Sequence, residues 1–109
     1  MNKTNKYVIL LLLLLQSPVE ARSFSASATY YGNSFVGRRM ANGKTYHHGG
    51  SFIAHPSLRL GKSVKICHKG KCVRATVTDR CRCSIDLSKD LFRQLAPLKK
   101  GRISVKVYH

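Results

Sequence analysis

Two segments with alternating apolar residues flank the dipeptide Lys69-Gly70, and this arrangement constrains the fold more than any other feature of the chain. Apolar residues at every second position are typical of a strand with one buried face. With Lys69-Gly70 as a two-residue turn, Ile66 faces Val73 and Val64 faces Ala75, so both apolar pairs share one face. The sequence therefore predicts a β-hairpin in this region.

A chain of this size is expected to use its four cysteines for disulfides. The hairpin register sets Cys67 opposite Cys72 at a non-hydrogen-bonded position, where cross-strand neighbours are closest, so we favour a bridge between them. Cys81 and Cys83 lie too near each other in the chain for an easy bridge, and pairing of either with Cys67 or Cys72 stays open. No Cys-x2-Cys or His-x3-His pair is present, so we expect neither a metal nor another cofactor.

The N-terminal segment has the three parts of a secretory signal peptide. Two lysines precede the apolar run 8–15, and the small-residue site Val19-Glu20-Ala21 follows it. Eight residues span about 12 Å as a helix, far less than a bilayer core. We therefore predict a signal peptide over residues 1–21 and an exported domain over residues 22–109, in the periplasm or outside the cell, with no membrane span after cleavage. Ala26-Ser27-Ala28 offers a second cleavage site.

The charge of the predicted mature chain indicates an anionic partner. The leader holds two of the 20 basic residues and one of the four acids, which leaves 18 against three and a net charge of +15. Such a surface attracts polyanions, and export favours envelope polymers over nucleic acid, which we do not expect as a partner. The three remaining acids, Asp79, Asp86 and Asp90, fall within twelve residues, which singles them out for pairing or for chemistry.

The remaining pattern indicates a small β-rich domain. Short strands are expected near residues 29–31, 52–54 and 103–107, and Asn42-Gly43 is a strong turn signal. Ser88 is suited to cap a short helix that follows it. Short strands with one late helix predict a mainly β fold, in the form of a small barrel.

Five short motifs, in order and at matching spacing, resemble the rare lipoprotein A family of endolytic peptidoglycan transglycosylases. They are Ala28-Thr29-Tyr30-Tyr31-Gly32, residues 37–43, residues 54–64, Val77-Thr78-Asp79-Arg80 and Ile85-Asp86-Leu87-Ser88. The resemblance covers nearly all of residues 22–109. It implies a small six-stranded double-psi β-barrel with one or two short helices, and a bacterial or phage source. Thr78-Asp79-Arg80-Cys81 is similar instead to expansins and barwin-like proteins, which share the barrel.

The resemblance implies that Asp79 is the catalytic acid and that His55 is its polar neighbour, with a place in the barrel wall as the alternative for His55. A lytic transglycosylase uses the 6-hydroxyl of N-acetylmuramic acid as the nucleophile, so one carboxyl group can donate a proton and then accept one. A second carboxylate is not required, unlike in most glycoside hydrolases. We assign Asp86 a structural role, paired with backbone N–H groups or with Arg80.

Substrate binding is expected from aromatic and basic side chains near Asp79. The candidates are Tyr30, Tyr31, Lys44, Tyr46 and Arg80. The tyrosines either stack on sugar rings or pack in the core. Lys44 stands where the family has an acid, and close to Asp79 it would favour the charged carboxylate, the opposite of what a general acid needs.

Two functions follow from these features, ahead of a third, a cationic exported protein that acts on nucleic acid or membranes, for which no specific motif is present. The first is a monomeric endolytic lytic transglycosylase that cleaves peptidoglycan glycan strands and leaves 1,6-anhydro-N-acetylmuramic acid ends. The second is a non-catalytic module that binds the cell wall or other anionic envelope polymers, or loosens the wall as expansins do. The high positive charge and Lys44 favour the second function.

Overall fold

A computed structural model describes residues 22–109, so the predicted signal peptide lies outside the described residues. This part of the chain is mainly β, as predicted. Its elements are β1 (Ser23–Tyr30), β2 (Phe52–Ala54), β3 (Ser63–His68), β4 (Lys71–Asp79), β5 (Ile85–Leu87), α1 (Lys89–Leu95) and β6 (Ile103–Tyr108), with 3-10 turns at Asn33–Phe35 and Leu98–Lys100. None of the helices in residues 22–109 has the length and hydrophobicity needed to cross a membrane.

The six strands close into a barrel in the order β1-β5-β2-β4-β3-β6. β1 runs parallel to β5 and β2 runs parallel to β4, whereas the other neighbouring pairs are antiparallel. Two parallel pairs exclude an up-and-down meander, in which every neighbouring pair is antiparallel. The double-psi barrel implied by the resemblance is therefore confirmed.

The hairpin of β3 and β4 has the register that the alternation predicts. Cys67 lies opposite Cys72 with a Cα–Cα distance of 4.1 Å, and the disulfide between them is confirmed. Lys69 and Gly70 both have positive φ angles, 47° and 83°, as a type I′ turn requires. The bridge therefore joins the two strands beside the tightest turn of the barrel.

Cys81 and Cys83 form the second disulfide with each other, so the expectation that they lie too close was wrong. The chain bends between them at Arg82, and their Cα atoms are 5.2 Å apart, a normal distance for a bridged pair. This disulfide constrains the loop that connects β4 to β5.

β1 begins at Ser23, six residues before the predicted start of this strand. Phe24, Ala26 and Ala28 alternate with serines in the added part of the strand. Two of these three inward residues are alanines, which bury little apolar area, so the alternation gives a weak signal in the sequence.

Ser88 precedes α1, as predicted, but its side chain does not cap the helix. Its hydroxyl donates to the carbonyl of Gly50 instead. The first amide of the helix, that of Lys89, donates to Tyr46 Oη at 3.2 Å, and the amide of Asp90 donates to a carbonyl of the same loop. A tyrosine distant in sequence therefore satisfies the helix N-terminus.

The described residues form two apolar clusters on opposite sides of the barrel wall. The larger one fills the barrel and includes Ile53 of β2. The smaller one lies outside the wall, where the loop after β1 covers Ala54, and it consists of Tyr31, Met40, Tyr46 and Ala54. The outer cluster fixes that long loop against β2 and thereby shapes the surface above the ends of β2, β4 and β5.

Replacing Cys67 and Cys72 by serine should lower the free energy of unfolding by about 2 kcal/mol, the loop-entropy value for so short a loop. Urea denaturation of the oxidised protein and of the double variant measures the difference. The register of the hairpin should persist, because the alternating apolar residues are unchanged. Equal midpoints for the two proteins would show that the bridge does not stabilise the barrel.

Candidate functional site

Two carboxyl groups lie on one row across three neighbouring strands. Ala54 of β2 pairs with Asp79 of β4 on one side and with Asp86 of β5 on the other, and Thr29 of β1 pairs with Asp86. Strands in a sheet are about 4.8 Å apart, so the Cα atoms of the two aspartates are about 10 Å apart. Only the methyl group of Ala54 lies between them on this row. We call Thr29, Asp86, Ala54 and Asp79 the carboxylate row.

A β-bulge directs Asp79 to the outside of the barrel. Ile53 pairs with Val77 but Ala54 pairs with Asp79, so Thr78 is an extra residue in β4. Strict alternation after the inward-facing Val77 would direct Asp79 into the barrel, and the extra residue reverses this. The bulge therefore brings the Asp79 side chain to the outer surface, where the long loop lies.

Three donors from different segments bind the Asp79 carboxylate. Tyr31 Oη donates to Oδ2 at 2.7 Å, and the amides of Ala41 and Arg80 each donate to Oδ1 at 2.9 Å. Burial and then the hydrogen bond to Asp79 raise the pKa of Tyr31, so the phenol keeps its proton and remains a donor. Hydrogen bonds to a carboxylate are among the stronger ones in proteins, and these three fix the position of Asp79.

Asp86 has a different environment on the same row. In residues 22–109 the only donor that hydrogen-bonds to its carboxylate is Thr29 Oγ1, at 3.1 Å. Burial raises the pKa of Asp86, the hydrogen bond from Thr29 opposes this, and the negative charge of Asp79 adds to the rise. Asp86 therefore holds its proton to a higher pH than an ordinary aspartate.

Arg80 and His55 both stabilise the loop after β2. One terminal nitrogen of Arg80 donates to the carbonyls of Leu58, at 2.6 Å, and of His55, at 3.3 Å. His55 Nδ1 accepts two backbone amides of the following turn, and burial together with the charges of Arg80 and His109 lowers the pKa of His55. The predicted pair between Arg80 and Asp86 is absent from residues 22–109, because the Arg80 guanidinium binds the carbonyls of His55 and Leu58 instead.

His55 does not join the carboxylate row. Its backbone amide donates to the Asp79 carbonyl, but its side chain makes no hydrogen bond to the Asp79 carboxylate in the described part of the chain. The ring packs at 5.4 Å from Phe24. The structure thus places His55 in the barrel wall, which was the alternative to its predicted catalytic role.

Two of the three predicted sugar-binding tyrosines are buried, and the third is half-buried. Tyr31 and Tyr46 stack on each other at 4.1 Å and are 3% and 1% exposed. Tyr30 packs against Phe92, with ring centres 4.7 Å apart, and its hydroxyl donates to a backbone carbonyl. The rings of Tyr31 and Tyr46 therefore pack in the core, which was the alternative to sugar stacking. The hydroxyl of Tyr31 contributes to the site through Asp79.

An aromatic residue that the sequence analysis missed lies beside the row. Phe35 is 42% exposed and meets the edge of Tyr31 at 5.4 Å, and the Arg38 guanidinium lies 5.6 Å from its ring centre. Val36, the next residue, is 50% exposed. The signal was an apolar dipeptide in an otherwise polar loop between two glycines.

Lys44 belongs to the turn that presents Ala41 to Asp79. Its amide donates to Asn42 Oδ1 and its carbonyl accepts the amide of Met40. Within residues 22–109 Lys44 forms no ion pair with Asp79, and its side chain is exposed. The expectation that Lys44 favours the charged form of Asp79 is therefore not supported by an ion pair in the described residues.

Comparisons with known proteins agree with this fold. The family model described as lytic transglycolase matches residues 23–107. An uncharacterised protein of Synechocystis sp., ssl3177, is 55% identical over 83 residues, which cover 74% of this chain and 92% of that protein.

Two solved proteins have similar structures. The Streptomyces papain inhibitor has a TM-score of 0.67 at 24% identity and covers 83% of this chain and 96% of its own. The expansin of Clavibacter michiganensis has a TM-score of 0.64 at 22% identity over 79% of this chain and 49% of the expansin. A variant of that expansin in complex with cellohexaose has a TM-score of 0.56 at 17% identity, with the same coverage. At these identities the likeness shows the fold alone, and this chain spans about half of the expansin.

Replacing Asp86 by asparagine should raise the melting temperature at about pH 7 and leave it nearly unchanged at about pH 3. The pKa of Asp86 is raised above 3.8 by folding, so the folded state binds a proton more tightly than the unfolded state. Stability therefore falls as the pH rises from the ordinary value through the raised one, and asparagine removes this loss. Thermal unfolding at both pH values measures the effect.

The matched control is Asp90→Asn, which removes a partly exposed carboxylate that pairs with Arg93 at 3.1 Å. It should change the melting temperature little or lower it slightly, as surface ion pairs do. A lower melting temperature for the Asp86 variant at neutral pH would restore the structural role that the sequence analysis gave to Asp86.

Proposed function

Because the chain belongs to the lytic transglycolase family, we propose that it cleaves the glycan strands of peptidoglycan and leaves 1,6-anhydro-N-acetylmuramic acid ends. The carboxylate row carries the proposal, since Asp86 has a raised pKa and Asp79 is held by three donors. A general acid must hold its proton near the working pH, and enzymes achieve this by burying a carboxyl group near another one. We therefore assign the proton transfer to Asp86, in place of Asp79.

In this mechanism Asp86 gives its proton to the glycosidic oxygen as the bond from that oxygen to C1 of N-acetylmuramic acid breaks. The 6-hydroxyl oxygen of the same sugar then bonds to C1, and its proton passes to the Asp86 carboxylate, which restores the acid. No water is consumed. The same group acts first as acid and then as base, so a second acid–base residue is not needed.

Asp79 contributes a negative charge at a fixed position. The three hydrogen bonds from Tyr31, Ala41 and Arg80 hold it on the row, and none of these donors carries a full charge at the bonding atom. A fixed negative charge stabilises the positive charge that develops on the sugar ring in the transition state. The same charge helps to keep the pKa of Asp86 raised.

Phe35 and the basic residues of the long loop provide the binding surface. An exposed ring beside Tyr31 suits the apolar face of a sugar. Arg38, Arg39 and Lys44 are exposed on the same loop, and their charges suit the carboxylates of the peptide-bearing sugars. These residues take over the substrate contacts that the buried tyrosines do not provide.

The proposed place of action is the periplasm or the exterior of the cell. The predicted leader supports export, and the two disulfides are typical of oxidising compartments. We propose that the exported chain acts as a monomer, as the sequence analysis expects.

The direct test is incubation of the purified protein with isolated sacculi, followed by mass spectrometry of the released fragments. We expect 1,6-anhydro ends, and a loss of at least about 100-fold in their rate of formation for Asp86→Asn. Asp79→Asn should also lose activity, since its charge is removed, whereas Asp90→Asn should retain it.

Thr29→Val should move the alkaline limb of the pH–rate profile to higher pH, because the Thr29 hydrogen bond lowers the pKa of Asp86.

Three outcomes would contradict parts of the proposal. New reducing ends without anhydro sugars would indicate hydrolysis by water. Sedimentation with sacculi without any new ends would select the wall-binding or expansin-like alternative. Full activity of Asp86→Asn together with an inactive Asp79→Asn would return the acid role to Asp79.

A further inference from the structure

A concave region lies at the end of the barrel opposite to the carboxylate row. It is a depression of about 230 Å³ beside the β3–β4 turn and the C-terminal end of α1. Lys71 begins β4 and lines it, whereas Asp79 ends the same strand. Eight residue steps along a strand correspond to about 26 Å, so the two regions are separate.

Basic side chains from three elements surround this depression. They are His68 at the end of β3, Lys69 in the turn, Lys71 in β4 and Lys100 in the second 3-10 turn. We call the depression with these four residues the lysine depression. Its lining in the described part of the chain holds no carboxylate and no arginine. Positive charges that converge without a counter-charge raise the local potential for an anion.

All three carboxylates of residues 22–109 lie away from the lysine depression. Asp79 and Asp86 belong to the carboxylate row, and Asp90 is in the first turn of α1, whereas Leu95 at the end of that helix lines the depression. The lining of the lysine depression thus contains no carboxylate that would offset its positive charges.

Lys69 has a backbone conformation that is unfavourable for a lysine. Its φ of 47° is in the left-handed region, which asparagine and glycine adopt more readily than lysine. Lys69 is the only residue other than glycine with a positive φ in residues 22–109. The Cys67–Cys72 disulfide holds the turn from both sides. A lysine in a rigid turn at a conformational cost is consistent with a binding role.

His68 is oriented by the barrel itself. Its Nδ1 lies 2.7 Å from the carbonyl oxygen of Ser104. A carbonyl only accepts, so Nδ1 carries a proton and donates to it, and Nε2 donates to an anion only in the protonated ring. The ring therefore has a defined orientation at the edge of the depression.

We propose that the lysine depression binds a phosphodiester group of an anionic envelope polymer. Ammonium groups from several directions suit the tetrahedral oxygens of phosphate, whereas planar carboxylates are matched by the arginine fork, which is absent from this lining. Leu95, Ala96 and Pro97 provide an apolar wall for the carbon chain that carries the phosphate. The site anchors the protein to the envelope and does not depend on the chemistry of the carboxylate row.

Calorimetric titration of the purified protein with a short glycerol phosphate oligomer tests this site. The variant Lys69→Asn, Lys71→Gln, Lys100→Gln should bind at least about tenfold more weakly, since each charge contributes severalfold. Asparagine suits the left-handed turn, so this variant should keep the melting temperature of the wild-type protein. Amide NMR shifts on titration should be concentrated at His68, Gly70 and Lys100.

A control variant removes the same charge elsewhere. Arg59, Arg74 and Arg82 are exposed and do not line the depression, so their replacement by glutamine should change the affinity less than about twofold. An equal loss of affinity in the two variants would overturn the proposal in favour of a diffuse attraction between the charges. NMR shifts spread over the whole barrel would do the same.

Two further ligands show whether the bound phosphate belongs to a polymer or a lipid, and whether the site prefers phosphate to carboxylate. Binding to phosphatidylglycerol vesicles without binding to the soluble oligomer, still lost in the lysine variant, would assign the phosphate to a lipid headgroup and support the site. Polyglutamate that binds as tightly as the phosphate oligomer would overturn the preference for phosphate. Unchanged cleavage of sacculi by the lysine variant would show that the two ends act independently.

Discussion

The hydrogen bond from Tyr31 Oη to Asp79 at 2.7 Å joins the long loop to the barrel wall, and the rest of the site depends on it. Tyr31 stacks on Tyr46, and Tyr46 accepts the first amide of α1, so one buried tyrosine pair connects a carboxylate, a loop and a helix N-terminus. The bulge at Thr78 is what lets Asp79 reach this position. Loss of the phenol would leave a half-buried carboxylate with fewer donors and would loosen the cover over Ala54.

The carboxylate row shows how one fold gives two aspartates different properties. Asp79 has three donors, whereas Asp86 has one donor in the described residues and a pKa raised by burial. Because only Ala54 separates them, the charge on Asp79 acts on Asp86. A larger residue at position 54 would displace the loop after β1 and occupy the space between the two carboxyl groups. Such pairs of carboxyl groups with divergent environments are common at sites of acid–base chemistry.

The sequence predicted the hairpin and its disulfide correctly because apolar alternation and turn chemistry are local signals, and the barrel followed from five motifs. Local signals do not report a bulge, so the extra residue Thr78 that turns Asp79 outward was not predicted, and they left the tyrosines undecided between sugar stacking and core packing. The Ser88 cap was predicted from the neighbouring residues, but a tyrosine more than forty positions away took its place. A contact between distant segments decided that error, whereas the Cys81–Cys83 bridge is local and was misjudged because a single bend sets its geometry.

The central claim is that Asp86 is the group that holds a proton. Carbon-13 NMR of the side-chain carboxyls, followed from low to neutral pH in the wild-type protein and in Asp79→Asn, measures it directly. The account predicts a titration midpoint for Asp86 above the ordinary value of 3.8, and a lower midpoint once the charge of Asp79 is removed. A midpoint at or below that ordinary value, unaffected by Asp79, would contradict it.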